Sequence, residues 1–315
     1  MLSFITAALL VLVAPPALPG TAAGAMTPHA SAPAAAAVDV EVHRLEVAPG
    51  DTIVATEQGS GTTIVLVPGL LGHAFGFRRL APALAEAGYR TLIIEPLGTG
   101  NSGARKDADF TLEAQAGRVA SVLGQLGIER AHFVCHSVGA SICLRLALQQ
   151  PGSVRSVTSI NGGPDEHAAT SGLRSALRWA PLIKLFGGGG RMRGKLVDGL
   201  RKSSADPAWV TDEVVAGYTA PFQDLDLTLN TLKGMARAVE PDSLRPRLPQ
   251  VSQPVLLLLG LDAPDGAPKQ EDVDALARGL PRFSADTIPN AGQYAHEEQP
   301  AAVVAAIVRF VERHR

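Results

Sequence analysis

From residue 39 onward, short runs of β-branched and aliphatic residues alternate with longer segments of helical periodicity, and this alternation limits the folds open to the chain more than any other feature. Residues 63–67 form a continuous apolar run, as expected of a strand buried on both faces of a mainly parallel sheet. Residues 40–47 and 53–56 read as an opening hairpin, and 91–94, 132–135, 154–160, 255–259 and 283–288 as further strands. Helical patterns occupy 77–87, 112–126, 138–149 and 301–313, the first three stopped by Gly88, Gly127 and Pro151. Between Gly162 and Pro254 the strand pattern gives way to helical candidates at 172–185, 194–202 and 225–239, with the run Gly187 to Gly190 as a flexible joint. The expectation is an α/β protein: a mainly parallel twisted sheet flanked by helices, with a core at 39–163 and 247–315 and an inserted helical cap at 164–246. Ligands of such a sheet bind beyond the C-terminal ends of its strands.

Composition narrows the function classes. The 28 Lys and Arg against 30 Asp and Glu give a net charge of -2, which excludes an electrostatic nucleic-acid binder. Hydrophobic residues make up 46% of the 315 residues but aromatics only 4%, so the core must be built from Ala, Val and Leu. Cys135 and Cys143 lie too close in sequence for a disulfide framework to be read from them. No dinucleotide fingerprint, phosphate loop or metal-ligand cluster occurs, so no cofactor and no metal is expected.

The first 25 residues carry an apolar run from Phe4 to Ala14 followed by A-x-A-like sites ending at Ala23 and Ala25, the pattern of a secretory signal. The run is too short for a stable membrane span. No Lys or Arg precedes Arg44, so the alternative is a cytoplasmic product starting at Met26. Residues 26–38 read as an Ala/Pro-rich linker; secretion to the periplasm or medium is the expected localisation if the leader is real.

Cys135-His136-Ser137-Val138-Gly139 sits between a strand and a helix and matches G-x-S-x-G with Cys for the first Gly. Such a strained turn presents its serine as a nucleophile and demands small residues two positions to either side. Val67-Pro68-Gly69-Leu70-Leu71-Gly72 follows the strand 63–67, which makes the backbone N–H groups of Leu70 and Val138 the expected oxyanion hole.

On these segments, and on Ile94-Glu95-Pro96-Leu97-Gly98-Thr99-Gly100-Asn101-Ser102 and the stretch 288–300, the chain resembles α/β-hydrolase-fold proteins of the esterase and meta-cleavage-hydrolase type. The resemblance runs from Asp39 to the C-terminus and implies that fold and a Ser-His-acid triad. Both partners of the serine depart from the pattern. Gln293 stands at the usual histidine position, and an amide does not exchange protons near neutral pH. Ala263 stands at the acid position. Candidate substitutes are His296, three residues on, as a relocated base, Asp262 or Asp265 as the acid, and His73 beside the oxyanion loop facing the substrate. His136 and Glu95 are expected to be structural, with Glu95 holding the 98–103 loop. The basic stretch from Arg191 to Lys202 reads as a solvated helix face, with a membrane-surface helix as its alternative.

Two functions compete. One is a serine hydrolase cleaving an ester or related carbonyl bond through acyl-Ser137. The other is a catalytically inactive binding or sensing protein using the same pocket for a small, apolar molecule. A lyase or isomerase is a weaker third. A serine at the elbow excludes epoxide hydrolase and dehalogenase chemistry, which use an aspartate there.

Overall fold

A computed structural model describes residues 39–70, 72–169, 188–263, 265 and 267–315. The proposed leader, the linker, the helical candidate at 172–185 and Gly187 lie outside the described residues.

Eight strands form one sheet: β1 Val40–Ala48, β2 Asp51–Gly59, β3 Thr62–Val67, β4 Tyr89–Ile94, β5 Ala131–His136, β6 Val154–Ile160, β7 Val255–Leu259 and β8 Phe283–Thr287. Their order is β1-β2-β4-β3-β5-β6-β7-β8. β2 pairs antiparallel with both β1 and β4, and all later pairings are parallel. The sheet is sandwiched between helices because its central strands are apolar on both sides. On β3, Val65 and Val67 enter the core under α2 (Leu112–Gln125) and α3 (Gly139–Gln149). Ile64 and Leu66 point the other way, into the cluster shared with α1 (Leu80–Glu86) and the C-terminal helix Pro300–Glu312.

Local chemistry sets the helix ends. Thr111 Oγ1 accepts the Ala114 N–H at 3.1 Å and starts α2, and Gly127, with φ of 65°, ends the turn that follows it. The helix expected over 77–87 starts later: a 3-10 turn covers Ala74–Phe77 and α1 begins at Leu80. Pro82 explains the register, since a residue without an N–H is tolerated in the first turn and breaks a helix further in.

Between β6 and β7 lie α4 (Gly188–Lys202), α5 (Asp212–Thr219) and α6 (Leu225–Arg237). Gly188 to Gly190 form the first turn of α4 and are not a free joint. Packing overrides the poor helix propensity of glycine here: Leu200 is buried, and Leu196 and Val197 pack with it against Trp209, Val214 and Tyr218. The apolar side of this basic helix is thus turned inward, while Arg193, Lys195, Arg201 and Lys202 are exposed. Among the described residues no helix is long and apolar enough to cross a membrane. Beyond β7 come α7 (Gln270–Gly279), α8 (Ala295–Glu298) and α9 (Pro300–Glu312), which complete the chain around β8.

Candidate active site

β5 runs into α3 through a single residue in the left-handed region, Ser137 at φ of 51°. A non-glycine residue pays about 1–3 kcal/mol for such a conformation, so its surroundings must fix it. They do: Ser137 N–H donates to Ile160 O at 3.0 Å, and Ser137 O accepts from Ala140 N at 2.9 Å. The approach is also too close for larger neighbours. A Cβ on Gly139 would lie 2.7 Å from the carbonyl oxygens of Val67 and Pro68, and one on Gly162 would lie 2.3 Å from Ser137 O. Cys135 and Cys143, unreadable as a pair from their spacing, are bonded to each other across this turn. The elbow folds α3 back along β5, which brings two residues 8 positions apart face to face.

Leu70 and Val138, the expected oxyanion donors, have no acceptor for their N–H groups among the described residues. Gly69 packs directly on Ser137: a Cβ there would meet Ser137 Cβ at 3.1 Å and His136 Nδ1 at 3.2 Å. Backbone N–H groups left unpaired beside a serine are suited to an oxygen that gains negative charge.

Ser137 opens onto a cavity of about 310 Å³ at the C-terminal end of the sheet, lined among others by Leu70, His73, His136, Tyr218, Gln293 and His296. Three imidazoles thus share one pocket with the serine. His296, on α8, is buried against Phe77 and His136, its ring 4.6 Å from that of His136, and its Nδ1 has no partner. Burial, helped by His136 and Arg78, holds it well below the usual histidine range, so it is a neutral imidazole. His136 is buried at the pocket wall, and burial pushes it down to about 4 against the opposing effect of Gln293 O. His73 is buried as well, edge-on to Tyr218, with Nε2 unpartnered and burial lowering its pKa. No imidazole is hydrogen-bonded to Ser137 Oγ among the described residues.

Gln293 lines the cavity with its side-chain Oε1 buried and unpartnered, while its backbone N–H donates to Ser203 O at 2.8 Å. The candidate acids sit elsewhere. Asp262 is exposed and its Oδ2 accepts the Asn290 N–H at 2.7 Å, the capping of a loop, and Asp265 is exposed. Neither meets an imidazole among the described residues. Glu95 is buried and accepts from Ala74 N at 2.9 Å and Asn101 N at 2.6 Å, tying the loop after β4 to the one that carries His73.

Sequence reasoning missed two residues. Tyr218 reaches the pocket from α5, and its hydroxyl donates to the buried Glu297 at 2.7 Å. Glu297 also pairs with Arg78, so this carboxylate beside His296 is committed to other partners. Only the pattern 295–298, a buried turn with a carboxylate facing inward, could have pointed to it.

Comparison with known proteins fits this geometry. Residues 62–182 match the family model described as alpha/beta hydrolase fold. The putative carbamate hydrolase RutD of Stutzerimonas stutzeri is 37% identical over 109 residues, 34% of this chain and 41% of that protein. The match therefore spans less than half of that relative's length. The magnesium-chelatase 30 kDa subunit of Rhodobacter capsulatus is 29% identical over 269 residues, 82% of this chain and 90% of that one. The crystal structure of Cfl2 from Burkholderia cenocepacia superimposes with a TM-score of 0.69 at 23% identity, covering 88% of this chain and 96% of that one.

Proposed function

We propose that this chain, which belongs to the α/β-hydrolase-fold superfamily, is a serine hydrolase of low turnover that opens an ester or related carbonyl bond through an acyl-Ser137 intermediate. The observation that carries the reading is the serine itself: it sits on a left-handed turn that lines a cavity, and among the described residues neither its hydroxyl nor the N–H groups of Leu70 and Val138 have a hydrogen-bond partner. Ser137 Oγ attacks the carbonyl carbon, and the oxygen that becomes negative is received by the N–H groups of Leu70 and Val138. The serine proton passes to a neutral imidazole of the pocket, His296 in the first place and His73 in the second, and returns to the leaving alcohol. Water then repeats the sequence on the acyl group.

Turnover is slow because, among the described residues, no carboxylate pairs with His296 or His73 to orient the base and stabilise its charged form. Where an orienting aspartate is removed from a serine triad, turnover falls by about 10⁴. Attack still profits from binding and from the oxyanion donors, which alone give about 10³–10⁴ over water. The carbamate named for the relative from Stutzerimonas stutzeri is also a carbonyl substrate, which agrees with the acyl chemistry proposed.

A second reading rests on the unpartnered Gln293 Oε1, His73 Nε2 and His296 Nδ1. Buried polar atoms nearly always have partners, so three in one cavity mark a place where a bound small molecule supplies the missing hydrogen bonds. In that reading the pocket binds without turning over. Exposure to a fluorophosphonate followed by mass spectrometry separates the two. An adduct on Ser137, absent in Ser137→Ala, supports the hydrolase; an unlabelled protein after prolonged exposure leaves the binding role.

The compartment belongs to the same proposal. A leader at residues 1–25 followed by the linker 26–38 would deliver the chain to the periplasm or medium, and the bonded Cys135 and Cys143 agree with an oxidising environment.

A further inference from the structure

We propose that the Cys135–Cys143 disulfide is a positioning clamp for Ser137, so that the reactive conformation of the elbow depends on the oxidised pair. The proposal rests on the reading of Ser137 as the nucleophile. Cys135 is the penultimate residue of β5 and Cys143 stands at the fifth position of α3, so the bond closes a short loop that contains Ser137 and both of the residues beside it. These are the chain's 2 cysteines, and both are buried in the core. One of them occupies the place of a small residue that the turn requires.

What the bond adds follows from what the turn lacks. Ser137 is held in the left-handed region by backbone bonds to Ile160 and Ala140 and by tight packing against Gly139 and Gly162. None of these contacts ties the start of α3 covalently to the end of β5. The donor at Val138 lies inside the closed loop, so any relaxation of the loop moves the nucleophile and one oxyanion N–H together. Both sulfurs lie inside the core, so a reductant reaches the clamp only through a local fluctuation of the fold. Its reduction by a small dithiol breaks the S–S bond, places a hydrogen on each cysteine sulfur and closes the reductant into its own disulfide.

The test compares the native protein with Cys135→Ala/Cys143→Ala at a temperature where circular dichroism shows both folded. Two readouts are local to the elbow: the rate of fluorophosphonate labelling at Ser137, and amide hydrogen exchange over residues 137–142. The clamp predicts labelling slowed by about 10²-fold, the loss expected from a misplacement of about 1 Å, with faster exchange over 137–142 and unchanged exchange in β3 and β6. Equal labelling and equal exchange in the two proteins would overturn it, as would two free thiols titrated in the freshly denatured native protein. A native protein that never labels refutes the hydrolase reading, and the exchange comparison alone then decides the clamp. If the alanine pair does not fold, the native protein reduced with dithiothreitol takes its place, under the same readouts.

Discussion

His136 Nε2 donates a 3.0 Å hydrogen bond to the backbone carbonyl of Gln293. The residue before Ser137 is thereby fastened to Gln293, the position at which the resemblance leads one to expect a histidine. The bond fixes the tautomer, since a carbonyl only accepts, and leaves His136 Nδ1 as an acceptor close to Gly69. It also anchors the segment that carries Gln293 and leads into α8 with His296.

That buried neutral histidine has a cost in acid. His136 and His132 are both lowered from the ordinary 6.5 to about 4, each chiefly by burial. Between those values the unfolded chain takes up protons that the folded chain refuses, so the stability they contribute is complete above about pH 6.5 and is lost as pH falls toward 4. Each such group withdraws up to about 1.4 kcal/mol per pH unit over that window. Glu95 and Glu297, raised by burial, act in the opposite sense and soften the decline. Melting temperatures should drop from pH 6.5 to 4, and His132→Asn, distant from the pocket, should flatten the drop. A slope unaltered by that substitution would show that His132 does not carry it.

Arg145 gathers the two ends of the excursion between β6 and β7. Its guanidinium is fully buried, 3.3 Å from Glu166 and 3.5 Å from Glu240, with Glu113 of α2 at 3.6 Å. Glu166 in turn accepts from Leu244 N at 2.9 Å and Arg245 N at 3.1 Å. Removing one partner of a buried cluster strands the others, so Arg145→Met should cost about 3–5 kcal/mol in urea unfolding. A loss under about 1 kcal/mol, typical of exposed pairs, would mean the cluster is better solvated than its burial implies.

The fold was legible because periodicity and punctuation agreed. The strands at 154–160 and 255–259 coincide with β6 and β7, where apolar character is bounded by Pro254 and by turns. The 3-10 turn at Ala74–Phe77 escaped notice because it depends on Glu95 accepting the Ala74 N–H, a contact with the far side of a strand. Ser137 and Val138 were readable since they lie in one local strand-turn-helix, and Leu70 since it directly follows β3. His73, Gln293 and His296 were named from the resemblance and line the pocket, whereas Tyr218 was not, because it comes from a distant segment whose approach is decided by packing. The cysteine pair was invisible for the same reason: spacing along the chain says nothing until the elbow turns the helix back.

Gly162 lies under the elbow. Gly162→Ala would place a methyl group 2.3 Å from Ser137 O and 2.6 Å from Ala140 Cβ, and backbone rather than a pliable side chain must give way. Overpacking of this kind costs about 1–3 kcal/mol. The expected result is a lower denaturation midpoint together with slower labelling of Ser137. Gly152→Ala, where a methyl group meets nothing within 4 Å, is the control and should change neither.

Placing a histidine and an aspartate at positions 293 and 263, where the resemblance leads one to expect them, tests the proposed role of Ser137. A Cβ on Gly292 would lie 2.4 Å from Ala263 Cβ, so position 263 is packed beside the segment that leads into Gln293. Gln293→His alone supplies a proton acceptor on the pocket wall with no carboxylate to set its tautomer, and should raise p-nitrophenyl acetate hydrolysis little. Adding Ala263→Asp should orient that ring and stabilise its charged form, the contribution whose removal from serine triads costs about 10⁴ in turnover. Because the loop was not shaped around the new pair, a gain of about 10²-fold in kcat/KM over the parent is the expected outcome. The gain should vanish when Ser137→Ala is added. Parent and double variant hydrolysing at the same rate would mean that the serine is not placed to use a base, and the acyl-enzyme reading would fall with it.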